Sequence, residues 1–219
     1  IWDGSRQFPI QRNWATETVS AKTVWKLKDT NNKFITGKGV RIGILDSGID
    51  YRHPDFLDSA GKPSRIKGGK DFGDQDNDYY DYGGTFKPGF YPHGTAVAGV
   101  IAGNNLKNPI HQGMAPESDL FIYKIYSDRD GSGNGDEIMA SIEQSLIDQC
   151  HLLNLSLGNA YPAKSINPDD PLYIAIQNAT KRGILFVCAA GNQGSRSNNG
   201  DFTIIVPSIY EPTLSVAGT

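Results

Sequence analysis

The sequence predicts an α/β fold in which a mostly parallel sheet lies between layers of helices. Apolar, β-branched runs of strand length occur at about 40–45, 119–126, 152–157 and 185–190, each bounded by glycine or polar residues. Segments with helical patterns separate these runs, and strands that alternate with helices favour parallel pairing with both faces covered. Polar residues that end such strands are the first candidates for a site, because chemistry collects at the carboxyl ends of parallel strands.

The first half of the chain offers two clear elements. The run at 40–45 ends on Asp46 and turns on glycine, which indicates a buried strand that delivers a carboxylate to the edge of the sheet. His93 begins a helix of small and apolar residues that extends to about 103. Residues 1–36 show no strong period, and the Gly- and Asp-rich segment at about 58–91 is predicted to be a loop.

The second half contains two helices and two short strands. A helix at 136–148 has acids in its first turn and an apolar face. A second helix starts at Pro171, which follows two aspartates that can cap it, and closes before Gly183. Short strands are predicted at 204–206 and 214–217.

Composition excludes several classes of protein. A chain of 219 residues with a net charge of −3 has no basic stripe for a phosphate backbone, so nucleic acid is not an expected partner. No apolar stretch approaches the roughly 20 residues that span a bilayer. Cys150 and Cys188 are too few for a disulfide framework, and buried free thiols are favoured over a bridge.

Three polar side chains end predicted elements, and together they suit acyl transfer. Asp46 follows a strand, His93 begins a helix and Asn192 follows the strand at 185–190. A carboxylate that orients an imidazole base, with an amide to donate to an oxyanion, is what a nucleophilic hydrolase needs. Taken singly, each also has a structural interpretation: a loop cap, a helix-start hydrogen bond and a left-handed turn.

Four ordered motifs carry a resemblance to a known family. LDSGIDYRHPDF, HGTAVAG, NLSLG and AAGNQG follow one another at separations that resemble the subtilisin-like serine proteases, from about Gly37 to the last residue. The resemblance implies a three-layer subtilisin-like fold with Asp46 as the catalytic acid, His93 as the base and Asn192 as the oxyanion donor. One motif departs, since Ala96 stands where the family usually has a second histidine, a change expected to leave the catalytic ring untouched.

The resemblance also assigns the substrate-binding segments. It implies that an extended peptide adds as a strand to two short segments, and that a third segment walls the specificity pocket together with 205–208. For the first segment an ordinary glycine turn remains an alternative. The residues are Gly131, Ser132 and Gly133; Ser156, Leu157 and Gly158; and Ala189, Ala190 and Gly191.

The family's nucleophile lies in a Gly-Thr-Ser-Met-Ala type motif, and these 219 residues contain none. Residues 1–219 are therefore predicted to be the Asp- and His-bearing N-terminal part of a single catalytic domain, incomplete at its C-terminal end. The serine is expected on a second chain or a downstream segment, so this chain alone is predicted to be inactive. By resemblance, the enzyme is expected to be secreted, to be made as a zymogen and to act on peptides or proteins.

No cofactor is expected to be required, although a structural calcium ion is possible. Five aspartates in the loop between 71 and 81 could collect a cation, but a solvated loop is favoured. The acidic run that begins at Asp128 fails as an EF-hand, because Met139 stands where a bidentate glutamate belongs. The other histidines, His53, His111 and His151, lack metal-ligand spacing and are predicted to be structural.

Two rival functions remain from the sequence. One is a catalytically dead peptide-binding or regulatory module that kept the cleft and lost the nucleophile. The retention of Asp46, His93 and Asn192 favours an active parent enzyme, because buried polar residues are costly once they have no role. The other is a metal-dependent hydrolase that uses Asp46 and His93, which lacks a third ligand at plausible spacing.

Overall fold

Six parallel strands form one sheet in the computed structural model, which describes residues 12–82, 92–105, 112–158, 166–192 and 204–218. The strand order is β2-β3-β1-β4-β5-β6, and every neighbouring pair is parallel. The predicted α/β class with a parallel sheet is confirmed. The strands are β1 (Arg41–Asp46), β2 (Ile66–Asp71), β3 (Asp119–Lys124), β4 (Leu152–Leu155), β5 (Leu185–Ala189) and β6 (Thr213–Val216).

Helices cover both faces of the central strands. Apolar side chains of α4 and α5 pack on one face of the sheet, and those of α3 pack on the other. A short 3-10 helix, Pro54–Phe56, lies against α3. The helices are α1 (Arg12–Thr18), α2 (Ala21–Val24), α3 (His93–Ala102), α4 (Gly135–Ile147) and α5 (Pro171–Lys181).

The alternation of side chains along β1 divides the core and places the site. Ile42 and Ile44 pack with α3, whereas Leu45 packs with the cluster beneath α4 and α5. Successive side chains of a strand point to opposite faces, so Asp46 falls on the α3 face together with Ile44. The last residue of the central strand therefore faces the helix that His93 begins.

The two long helices begin as their sequences predict. Asp170 precedes Pro171, and its carboxylate accepts a hydrogen bond from the backbone N–H of Leu172 at 2.9 Å. Glu137, in the first turn of α4, accepts from the backbone N–H of Asn134 at 2.8 Å. These contacts satisfy backbone donors that a helix start otherwise leaves unpaired.

Two sequence predictions of strand content are wrong. β2 lies within the segment predicted to be a loop. The sequence did not indicate this strand because it has only one β-branched residue and two glycines and shows no apolar alternation. Gly69 is nevertheless required there, since a Cβ would lie 2.4 Å from the carbonyl oxygen of Ile122. Residues 204–206 do not form a strand and instead connect to the end of β5, where Ile205 N–H donates to Ala190 O at 3.0 Å.

Both cysteines are buried free thiols, as predicted. Burial raises the pKa of Cys150 to about 11 and that of Cys188 to about 12. Both groups are therefore protonated and unreactive near neutral pH. None of the helices in the described part of the chain combines the length and the apolar character needed to cross a bilayer.

On the α3 side of the sheet, the described helices leave β5 and β6 uncovered. On the α3 side, β5 and β6 present Leu185, Leu214 and Val216, which are 46%, 53% and 49% exposed. No described helix packs on these three side chains, which we term the β5–β6 face. These side chains form an exposed apolar patch among the described residues.

Candidate active site

Asp46 and His93 form a hydrogen-bonded pair at the carboxyl end of β1. His93 Nδ1 lies 2.8 Å from Oδ1 of Asp46 and 3.0 Å from Oδ2. The carboxylate is 1% exposed, whereas the imidazole is 56% exposed. The acid is therefore held in the protein interior while the far edge of the ring faces the surface.

Close packing between α3 and the loop after β1 positions the imidazole. Gly94, the second residue of α3, has no Cβ, and one built there would lie 2.2 Å from the carbonyl oxygen of Gly48. Ser47 adds a polar contact, since its Oγ accepts from the Gly94 N–H at 2.9 Å. Gly94, the first glycine of the motif HGTAVAG, thus lets α3 approach Asp46 closely enough for the hydrogen bond between His93 and Asp46.

The polarity of this hydrogen bond makes His93 suited to general base catalysis. An ionised carboxylate can only accept, so Nδ1 carries the proton and Nε2 of the neutral ring keeps its lone pair. The hydrogen bond to Asp46 raises the pKa of His93, burial opposes that change, and the negative charges of Asp46 and Asp81 reinforce it. The imidazolium that forms when Nε2 takes up a proton is therefore favoured.

The predicted binding segments follow strands β3, β4 and β5 along the chain. Gly131–Gly133 follows β3, Ser156–Gly158 follows β4, and 189–192 continues β5. β3 and β4 pair with β1 on either side, and β5 lies beyond β4. Because all the strands are parallel, these segments lie at the same edge of the sheet as Asp46.

The two segments that flank β1 differ in their free backbone groups. Ser132 uses its carbonyl oxygen to accept from Ser127 N–H at 2.8 Å, and Gly131 N–H donates to Ser127 O at 2.8 Å. Among the described residues, no hydrogen bond occupies Gly131 C=O or the N–H and C=O of Gly133, so these groups could pair with a peptide. Within the described ranges, Ser156–Gly158 makes no backbone hydrogen bond, so the edge after β4 can pair with a peptide.

The segments predicted to wall the specificity pocket lie against one another. Ala190 N–H donates to Val216 O at 2.8 Å, and Ala190 O accepts from Ile205 N–H. A Cβ at Gly158 would lie 2.4 Å from Val206 O and 2.6 Å from the Ile205 side chain. The ends of β4, β5 and β6 thus enclose the same small region.

Asn192 lies three residues beyond the end of β5, and its side chain is exposed. Gly191, just before it, has φ +113°, a conformation that favours glycine and turns the chain at this point. Asn192 therefore lies at the same edge of the sheet as Asp46. Gln193 and Gly194, which complete the motif AAGNQG, lie outside the described residues.

A buried lysine that the sequence analysis did not single out lies among the aspartates of the acidic loop. Lys124 ends β3 with no solvent exposure, and its Nζ lies 3.5 Å from Asp71 and 4.0 Å from Asp74 and forms a short ion pair with Asp128. Burial alone would lower the pKa of Lys124, but these carboxylates outweigh it and the pKa is raised. A lysine at the end of an otherwise apolar strand was the available signal.

The loop aspartates predicted as possible calcium ligands are thus divided. Asp71 and Asp74 face Lys124, Asp76 and Asp78 face turns and tyrosines, and Asp81 binds α3. No group of three His, Cys, Asp or Glu side chains among the described residues is arranged to hold a metal ion.

Two of the remaining histidines make local contacts. His53 Nδ1 accepts from Asp55 N–H at 3.3 Å, and His151 Nδ1 accepts from Arg41 N–H at 3.0 Å. Each imidazole thus accepts a hydrogen bond from a backbone N–H that lies next to it in the fold. His111 lies outside the described residues.

Comparison with known proteins agrees with this geometry. The subtilase family model matches residues 37–219. The major intracellular serine protease of Bacillus subtilis strain 168 is 32% identical over 204 residues, which cover 91% of this chain and 55% of the relative. The thermostable alkaline protease of Halalkalibacterium halodurans is 35% identical over 214 residues, covering 95% and 50%.

A third relative, the minor extracellular protease Vpr of Bacillus subtilis, is 33% identical over 202 residues, covering 92% of this chain and 22% of that protein. The chain spans about half or less of the length of these relatives. With a family model that covers most of its residues and an Asp–His pair at the carboxyl end of the central strand, the chain belongs to the subtilase family.

Proposed function

We propose that this chain supplies the acid and the base of a serine endopeptidase that hydrolyses peptide bonds through an acyl-enzyme. The observation that carries the proposal is the hydrogen bond between buried Asp46 and His93 Nδ1 at 2.8 Å. His93 would take the proton of a serine hydroxyl on Nε2, and Asp46 would hold the ring and stabilise the imidazolium. When the tetrahedral intermediate of acylation collapses, His93 would give this proton to the leaving amine. In deacylation it would take a proton from water and return it to the serine.

The nucleophilic serine would come from a segment outside these 219 residues, downstream or on a second chain. The family motif that bears it is absent from the sequence, and the relatives are longer than this chain. The β5–β6 face supports the proposal, since it lies on the same side of the sheet as α3 and offers apolar surface for such a segment.

Asn192 and the three strand-end segments would bind the substrate. An extended peptide would pair with Gly131–Gly133 on one side and Ser156–Gly158 on the other, which places the scissile carbonyl near the end of β1. The Asn192 amide would donate to the developing oxyanion. Ala189–Gly191 would wall the pocket for the residue before the scissile bond. Secretion and synthesis as a zymogen stay predictions, since the named relatives include both an intracellular and an extracellular protease.

A fluorophosphonate label tests the function, because it reacts with activated serines. The chain would be produced alone and together with its downstream segment, and each form would be labelled and assayed on a peptide. We expect labelling only in the longer form, on the downstream serine. His93→Ala should abolish it, whereas His53→Ala, a change at a histidine with a local contact, should retain it.

The outcomes separate the rival functions. Labelling of the isolated chain would show that one of its own serines is the nucleophile. An unlabelled longer form that still binds peptides would indicate the peptide-binding module. In a labelled form, Asn192→Ala should lower kcat more than it alters KM, because the oxyanion forms mainly in the transition state.

A further inference from the structure

A second buried carboxylate lies beside the Asp46–His93 pair. Asp81 is 4% exposed, and its Oδ2 accepts from Thr95 N–H at 2.9 Å and from Thr95 Oγ1 at 2.8 Å. Thr95 is the third residue of α3, whose N-cap is Pro92, a residue without a side-chain acceptor. Asp81 therefore caps, from a distant part of the chain, the helix that His93 begins.

Thr95 donates twice to Asp81, from its backbone N–H and from its hydroxyl. Thr95 Oγ1 accepts from Asp50 N–H at 2.8 Å, so its single proton goes to Asp81. Ser47 Oγ accepts from Gly94 N–H at 2.9 Å, and the Ser47 hydroxyl opposes the rise in the pKa of Asp81. Within the described part of the chain, the Asp81 carboxylate thus accepts two hydrogen bonds, both from Thr95.

Asp81 is also tied to the loop that follows Asp46. Its backbone N–H donates to Ile49 O at 3.2 Å, and Ile49 N–H donates to Tyr79 O at 3.0 Å. The same residue thus holds the loop after β1 through its backbone and the start of α3 through its side chain. Those two segments carry the two members of the Asp46–His93 pair.

The negative charge of Asp81, like that of Asp46, raises the pKa of His93. The pKa of Asp81 is raised, by burial first and by the charge of Asp46 in addition, while its contacts with Thr95 and Ser47 oppose that change. The pKa of His93 is raised by the hydrogen bond to Asp46 first, and by the charge of Asp81 in addition. Tyr126 also faces this region, and burial followed by the charge of Asp46 raises its pKa, so it stays neutral.

We propose that Asp81 is a positioning residue for His93, which fixes the start of α3 through its side chain and the loop after β1 through its backbone. Its catalytic meaning rests on the function proposed above, because the imidazolium forms when His93 takes the proton of the nucleophile. The His93–Asp81 coupling itself is a property of the folded protein and can be measured without turnover.

The test is Asp81→Asn in the full-length protein, because asparagine keeps the shape and an acceptor oxygen but removes the charge. NMR of histidine labelled at Cε1 would follow the titration of His93, assigned by the signal that is missing in His93→Gln. We expect the His93 midpoint to move to lower pH. The acidic limb of kcat/KM should move the same way, and its plateau should fall about tenfold, mainly in kcat.

Asp76→Asn is the matched control, since Asp76 lies in the same loop, faces solvent and accepts from Asp78 N–H. It should leave both the midpoint and the pH profile unchanged. Asp81→Ser provides a second neutral variant if Asp81→Asn does not fold. Loss of folding in both neutral variants would assign Asp81 a structural role only and overturn the proposal.

The two readouts keep this proposal separate from the proposed function. A His93 midpoint that stays in place in a folded neutral variant would overturn the role of Asp81, whatever the activity. A midpoint that moves in a protein without peptidase activity would retain the coupling and refute the peptidase. An equal shift in Asp76→Asn would show general charge effects and would also overturn the proposal.

Discussion

Replacement of Gly94 by alanine tests whether close packing of α3 positions His93, the proposed base. The added Cβ would lie 2.2 Å from Gly48 O and 3.1 Å from the Asp46 Cβ, whereas Cβ atoms keep at least 3.0 Å from other atoms. The start of α3 must therefore retreat by at least 0.8 Å from the loop after β1. Both neighbours belong to the backbone or to a buried side chain, so neither can simply rotate away.

A displacement of this size should impair activity more than stability. Overpacking of a well-packed site typically costs about 1–3 kcal/mol. A misplacement of about 1 Å at a catalytic group costs on the order of 100-fold in rate. In the longer form that carries the serine, we therefore expect Gly94→Ala to fold, to lose about 1–3 kcal/mol in urea unfolding, and to lose about 100-fold in kcat with KM nearly unchanged.

Gly135→Ala is the matched control for this experiment. Gly135 is the first residue of α4, and a Cβ built there meets nothing within 4 Å. Alanine at this position should leave activity unchanged and alter stability by less than about 1 kcal/mol. Wild-type kcat and stability in Gly94→Ala, or an equal loss in Gly135→Ala, would refute the packing explanation.

Three further predictions concern ionisable side chains. The folded pKa of His93 is raised, so its ion pair with Asp46 stabilises the fold below the unfolded pKa and is lost as pH rises through the folded pKa; urea unfolding should show His93→Gln costing more at pH 5 than at pH 9. Cys150 and Cys188 should resist Ellman's reagent at pH 8 until the protein is unfolded, and rapid reaction in native buffer would contradict their burial. Lys124→Met should cost about 3–5 kcal/mol in the same unfolding assay, because it leaves buried carboxylates without a cation, and a neutral result would refute the ion cluster.

The sequence was sufficient for the central strands and for the Asp–His pair. β1, β3, β4 and β5 are mostly apolar runs of strand length, and such runs are recognisable without tertiary information. Asp46 and His93 each end an element inside a dense motif, so their meeting could be predicted from the resemblance. Helix starts at Asn134 and Asp170 were predictable because their caps are local.

The unpredicted features depend on contacts between distant residues. β2 is stabilised by pairing with β3 and has little strand character of its own. Asp81 and Lys124 gain their roles from partners that lie far away along the chain or on another strand, so no local pattern marks them. Sequence spacing also could not reveal that Ser127 already uses the Gly131 N–H and the Ser132 carbonyl of a predicted binding segment.

The strand order also governs how the chain folds. β1 lies in the middle of the sheet, yet both its partners are made much later, since Arg41 pairs with Asp119 and Ile42 with Leu152. At about 5–20 residues per second, synthesis leaves β1 unpaired for roughly 4 to 16 s before β3 emerges. Non-local parallel pairing of this kind gives a high contact order and slow folding. The arrangement that centres Asp46 therefore makes β1 the segment most exposed to misassociation on the ribosome.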